Sequence, residues 1–330
     1  MRYARVYFCF LLLITGPFSL LLAQQENFTS FCSAFIKGYD ELSIPATELD
    51  YKSNFNNIPG NEALAGQEDF FRSCSKKLEL VNKKDLNKEE LLRYAQLSYE
   101  LSLNMERIAL EKKWNDEGRK VPEDGLHSMS NYKEWYSYLV RYFTSVNISP
   151  EQVFEMGSSE VKKIQKEILT IQHTLGYTNE NDFYKSLKND TFYYSDKKQI
   201  LAGYAKIDHT VRKNLKNLFL PNEINEIGVM EWPNAGPNTP PGIYLSKRDN
   251  AYGKDVFQYN FYGSKHNKRA MEWLYMHEGI PGHHLQSEVR RKTKGSELQN
   301  QFFYFGNAEG WACYIEDLGK EMGLYQNPYT

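Results

Sequence analysis

Apolar positions recur at helical spacing along most of this chain. From Glu68 to Lys113 a charged stretch carries Leu91, Leu92, Ala95, Leu97 and Leu101 at intervals that place them on shared faces, which predicts two amphipathic helices. Tyr132 to Tyr142 predicts a short aromatic helix after a loop marked by Pro122 and Gly125. Ser149-Pro150-Glu151 is a helix start: a capping hydroxyl, a proline suited to the first turn, and an acid at the positive dipole end. The helix that follows, Gln152 to Leu175, sets Val153, Met156, Val161, Ile164, Ile168 and Ile171 on one stripe, expected to pack against other helices. Ser195-Asp196 opens a further helix that ends near Pro221. Between Met230 and Tyr262 the pattern changes. Prolines and glycines surround two β-prone runs, Ile243-Tyr244-Leu245 and Phe257 to Tyr262. The expected fold is mainly α, with a small β element beside the helix that carries the candidate chemistry. A strand edge there could hold an extended peptide, with the Tyr244 and Asn260 regions lining the cleft.

Composition narrows the function classes. With 330 residues and a net charge of -2, the chain has neither the basic stripe of a nucleic-acid binder nor an acidic tail. Arg2 and Arg5 precede an apolar run from Val6 to Leu22, interrupted at Gly16-Pro17 and followed by Ala23 and a polar pair. This is the layout of a signal peptide over residues 1–23, removed on export to the periplasm or the exterior, with no stable membrane span afterwards; an uncleaved anchor is the alternative. Residues 24–146 then form a helical N-terminal region and 147–330 the region bearing the chemistry. In an oxidising compartment Cys32 and Cys74 could pair, and Cys313 reads as a small buried residue.

Three of the seven histidines lie within eight residues, in His277-Glu278-Gly279-Ile280-Pro281-Gly282-His283-His284. Hydrolytic zinc sites commonly place two histidines four apart on one helix with a glutamate beside the first. Here position 281 is proline. On an unbroken helix His283 would point away from His277, and His284 would lie roughly 10 Å further along the axis. Pro281-Gly282 supplies a break that can return a histidine to the first one. Downstream, Glu309 sits in the apolar segment Asn307 to Leu318, where a ligand role would account for a buried acid. Two histidines and a glutamate form a catalytic zinc set with a fourth position for water. Glu316, two turns on, is a candidate partner for a ligand histidine.

His277 to Gln286, followed by Glu309-Gly310-Trp311-Ala312-Cys313-Tyr314, resembles the bacterial domain-of-unknown-function 885 family. The resemblance extends to Ser149–Val153, Asp190–Tyr204 and Phe257–Asn260. It implies a helical, gluzincin-like zinc peptidase, often secreted or a lipoprotein. It also implies His277, His283 and Glu309 as Zn2+ ligands and Glu278 as general base acting on a peptide substrate. It favours His283 over His284 as second ligand, which leaves His284 as a donor to the developing oxyanion. Members of the family usually continue beyond Glu321-Met322-Gly323-Leu324-Tyr325, so a truncated chain is expected, and with it either a non-catalytic exported binding protein or a hydrolase of other amides or esters as alternatives.

Overall fold

The computed structural model describes residues 16–118, 120–121, 123–220, 224–293 and 295–330, of which 16–27 by backbone alone. Most of the expected leader, residues 1–23, lies outside the described residues. The chain is mainly α. Its helices are α1 (Gly16–Glu41), α2 (Tyr51–Asn56), α3 (Asn61–Glu79), α4 (Lys88–Asp116), α5 (Tyr132–Thr144), α6 (Pro150–Thr174), α7 (Glu180–Ser186), α8 (Lys197–Asn214), α9 (Met271–Glu278), α10 (His283–Thr293), α11 (Glu297–Gln301) and α12 (Phe305–Glu316). Among the described residues no helix is long and apolar enough to cross a membrane.

The chain divides into two compact units, residues 1–139 with 295–303 and residues 140–294 with 304–330. The short return of 295–303 puts α11 in the first unit, although linear order suggests the second. Leu298 explains it: its side chain is buried in the first unit's core and its carbonyl accepts a hydrogen bond from Gln96. That core joins Phe28 and Phe35 of α1, Leu64 and Phe71 of α3, and Leu97, Leu101 and Ile108 of α4. The expected amphipathic pair is present as α3 and α4, and α4 begins in a reciprocal cap between Asn87 and Glu90. Cys32 and Cys74 are buried in the same core as free thiols, not a disulfide. Each fills space as a small apolar group, and burial pushes the Cys32 thiol up to about 11.

In the second unit α8 and α9 pack on a three-stranded sheet. Strands β2 (Gly228–Glu231), β3 (Gly242–Leu245) and β4 (Val256–Tyr259) run in the order β2-β4-β3, after β1 (Tyr193–Tyr194) and before β5 (His266–Asn267), which pair with each other. β4 is central and buried throughout, parallel to β2 and antiparallel to β3. β2 is an addition to the two expected runs; four residues just before Trp232-Pro233 carry too little periodicity to announce a strand. Tyr204, Phe257, Leu274, Tyr275, Met276 and Ile315 are among the residues forming the core beneath the site.

α6 begins as expected, with Ser149 and Gln152 capping each other's backbone and Pro150 in the first turn. Its apolar stripe does not pack as expected. Met156, Val161 and Ile164 are 50–62% exposed, and Phe154 is 75% exposed. Periodicity shows that a face is apolar, but only the neighbours decide whether it is covered.

Candidate metal centre

Helix α9 ends at Glu278 and α10 starts at His283, with the intervening turn holding a cis Ile280–Pro281 bond. The break is a close backbone packing. A Cβ on Gly282 would stand 1.9 Å from the His277 carbonyl oxygen and 2.3 Å from that of Met276, so no side chain fits there. The His284 N–H reaches back to the Gly279 carbonyl at 3.2 Å, and the Trp311 indole N–H donates to the Pro281 carbonyl at 2.9 Å. Trp311 thereby ties the turn to α12, a role its position in an apolar helix did not disclose.

The turn sets the imidazole rings of His277 and His283 4.9 Å apart and nearly perpendicular. Glu309 of α12 faces both: one carboxylate oxygen lies 3.4 Å from His277 Nε2 and the other 3.6 Å from His283 Nε2. All three ligand-type atoms fall within 4.8 Å of one another. Glu309 is not the buried acid the sequence suggested, because its side chain is 38% exposed. Its place opposite two histidines, not desolvation, is what singles it out. Glu316 accepts a hydrogen bond from His277 Nδ1 at 2.7 Å, which leaves Nε2 directed at the cluster.

The electrostatics suit a cation. Burial disfavours charge on His277, but the Glu316 hydrogen bond and the fields of Glu278, Glu316 and Glu309 outweigh it and raise its pKa. Burial lowers that of His283 despite Glu309. Burial also raises the Glu278 carboxyl, against the opposing pull of His277 and the Tyr244 N–H. Three acidic side chains, Glu278, Glu309 and Glu316, gather around the two imidazoles, a setting that favours a positive charge among them. The donors are two nitrogens and a carboxylate converging from three directions, which fits the ligand set of a zinc ion with one position open.

Glu278 is 8% exposed, and its carboxylate accepts the N–H of Tyr244 on edge strand β3 at 2.8 Å. The Tyr244 region thus borders the site, and the tyrosine ring lies against that of His283 with centroids 6.5 Å apart. The Asn260 side chain donates to the Thr239 carbonyl and accepts the Tyr262 N–H. His284 departs from expectation. It is fully buried, its Nε2–H donates to the Asn225 carbonyl at 2.9 Å, and its Nδ1 faces Asp255 at 3.9 Å. Both nitrogens point into the protein, so the ring cannot reach an oxyanion at the cluster. Cys313, expected to be buried, is exposed; it stands one helical turn after Glu309, on the side of α12 that carries Glu309 and Glu316.

Sequence reasoning missed the network behind this site. Buried Asp255, at the start of β4, accepts the Tyr244 hydroxyl at 2.7 Å, the Lys247 N–H at 3.1 Å and both terminal nitrogens of Arg291 at 2.8 and 3.1 Å. Arg291 also pairs with Glu288, whose other oxygen takes the Asn225 amide at 2.7 Å. Burial works against the charge on Asp255, but these donors prevail and hold its carboxyl below the usual range. An acid next to a buried strand, and an acid-base pair three apart on α10, were the available signals.

The family described as "Bacterial protein of unknown function (DUF885)" matches residues 119–330. No curated protein sequence matches the chain. Solved structures that share the fold include two described as lipoproteins. A "putative lipoprotein" of Colwellia psychrerythraea superposes with a TM-score of 0.56 at 20% identity, over 84% of this chain and 52% of that one. A "putative lipoprotein of unknown function" of Shewanella oneidensis gives 0.60 at 15% identity, over 92% and 79% respectively. The chain therefore spans about half the length of the first.

Proposed function

We propose a function from one premise: this chain belongs to the DUF885 family of bacterial proteins of unknown function. It is an exported, zinc-dependent peptide hydrolase. The observation that carries this reading is the convergence of His277, His283 and Glu309 across the Gly279–Gly282 turn. Those three side chains would hold the ion. When bound, zinc polarises a carbonyl and acidifies a water molecule.

Glu278 acts as general base. It takes a proton from the attacking water and returns it to the leaving amine, and its buried carboxyl, raised in pKa, suits both halves of that transfer. The Tyr244 N–H fixes the carboxylate. Glu316 holds His277 in the tautomer that presents Nε2. An extended peptide gains main-chain hydrogen bonds at a strand edge, and β3 is such an edge beside Glu278. Export accords with Arg2, Arg5 and the apolar run to Leu22, and with the description of both structural neighbours as lipoproteins.

The test is the zinc content and peptidase activity of the purified protein beside its Glu278→Gln variant. Zinc retained with kcat reduced by about 10²–10⁴, the usual contribution of a general base, supports the reading. Equal activity in both proteins, or no zinc in either, overturns it.

A further inference from the structure

His277 presents its two ring nitrogens to two different sets of ligand-type side chains. Nε2 faces His283 and Glu309; Nδ1 faces Glu316 at 2.7 Å, and the Cys313 sulfur completes a second group whose ligand atoms lie within 4.8 Å of one another. Cys313 and Glu316 are three apart on α12, so they share a face, and the cysteine is open to solvent. We propose that His277 serves two alternative cation sites, and that the second, made of His277 Nδ1, Cys313 and Glu316, takes a thiophilic divalent ion such as Cd2+.

The alternation follows from the imidazole. A neutral ring has one nitrogen that carries a proton and one that can bind a cation. An ion on Nε2 leaves the proton on Nδ1, where Glu316 accepts it. An ion on Nδ1 leaves the proton on Nε2, where Glu309 stands 3.4 Å away to accept it. Each carboxylate is a ligand in one state and a hydrogen-bond acceptor in the other, so the same four groups around His277 accommodate either occupancy but not both.

Ligand chemistry separates the two sites. Imidazole and carboxylate suit Zn2+, whereas a thiolate adds preference for softer ions. On binding, the sulfur–metal bond forms as the thiol proton leaves to solvent, and the neighbouring carboxylate of Glu316 attracts the ion.

The experiment titrates the zinc-free full chain with Cd2+ and follows the ultraviolet thiolate-to-cadmium charge-transfer band, with bound metal measured in parallel. The expected result is a band that His283→Ala retains, that Cys313→Ser loses while still binding Zn2+, and that prior saturation with Zn2+ suppresses. No band in the wild-type chain overturns the inference. So does an undiminished band in Cys313→Ser, which would place the thiolate at Cys9, Cys32 or Cys74. A zinc-saturated chain that takes up Cd2+ at Cys313 without losing zinc overturns the alternation. The two readings fail separately. A chain that binds no zinc yet shows the Cys313 band refutes only the zinc hydrolase, whereas a zinc-binding chain without the band refutes only the second site.

Discussion

Gly282 carries more of the candidate site than its lack of a side chain suggests. It lets the backbone after Pro281 press against the last carbonyls of α9, and that approach turns His283 towards His277. Gly282→Ala should therefore destabilise the second unit by about 1–3 kcal/mol, the range for forced overpacking, and abolish zinc binding; thermal melts and metal analysis check both. Glu316 acts through its hydrogen bond to His277. Glu316→Gln should weaken zinc affinity roughly 10–100-fold with the fold intact, as measured by competition with a chelator. These residues differ in how legible they are. The Pro-Gly break could be read from spacing, and Glu316 from its two-turn interval after Glu309. That His284 faces Asn225 could not, because the direction of a side chain after a broken helix depends on what the following helix packs against.

At the level of elements, β3 and α10 are held together by a buried ionic strut. Asp255 joins the Tyr244 hydroxyl of β3 to Arg291 of α10, two turns beyond His283. The same tyrosine's N–H holds Glu278, so the strut sets the spacing between the candidate base and a candidate ligand. Arg291→Met leaves Asp255 buried without its counter-charge, and Glu288 with only the more distant Lys292 at 3.8 Å, and should cost about 3–5 kcal/mol in chemical denaturation. The strut also predicts a pH dependence. The folded-state pKa of Asp255 is depressed, so its contribution is fully present above the unfolded value of ~3.9 and is lost as pH falls through the lower folded value. Asp255→Asn should accordingly flatten the acid limb of the stability profile below about pH 4, as read from unfolding at stepped pH. Periodicity located α6 and its cap, yet Met156, Val161 and Ile164 of the stripe it predicted lie open to solvent. The local pattern sets which face of a helix is apolar, and packing sets what that face meets.

For the whole molecule, the division into two units makes metal binding a local event. A ligand that binds only the native state stabilises it by about 2.7 kcal/mol at a hundred times its dissociation constant. Zinc should therefore slow hydrogen exchange in α9, α10 and α12 while leaving α3 and α4 of the first unit unchanged; equal protection of both units would contradict a centre confined to the second. The sequence by itself determined what is written in local spacing and side-chain chemistry. Helical periodicity marked the main helices, Ser149-Pro150 the start of α6 and Pro281-Gly282 the break, while the likeness to the family singled out His277, His283 and Glu309 as candidate donors. It did so because helix formation, capping and ligand type depend on residues a few positions apart. Tertiary structure alone decided the remainder: that Cys32 and Cys74 stay free, that Cys313 and α6 face solvent, that residues 295–303 return to the first unit, and that Asp255 and Arg291 brace the candidate site. Those outcomes depend on contacts between residues far apart in the chain, whose partners no local pattern names.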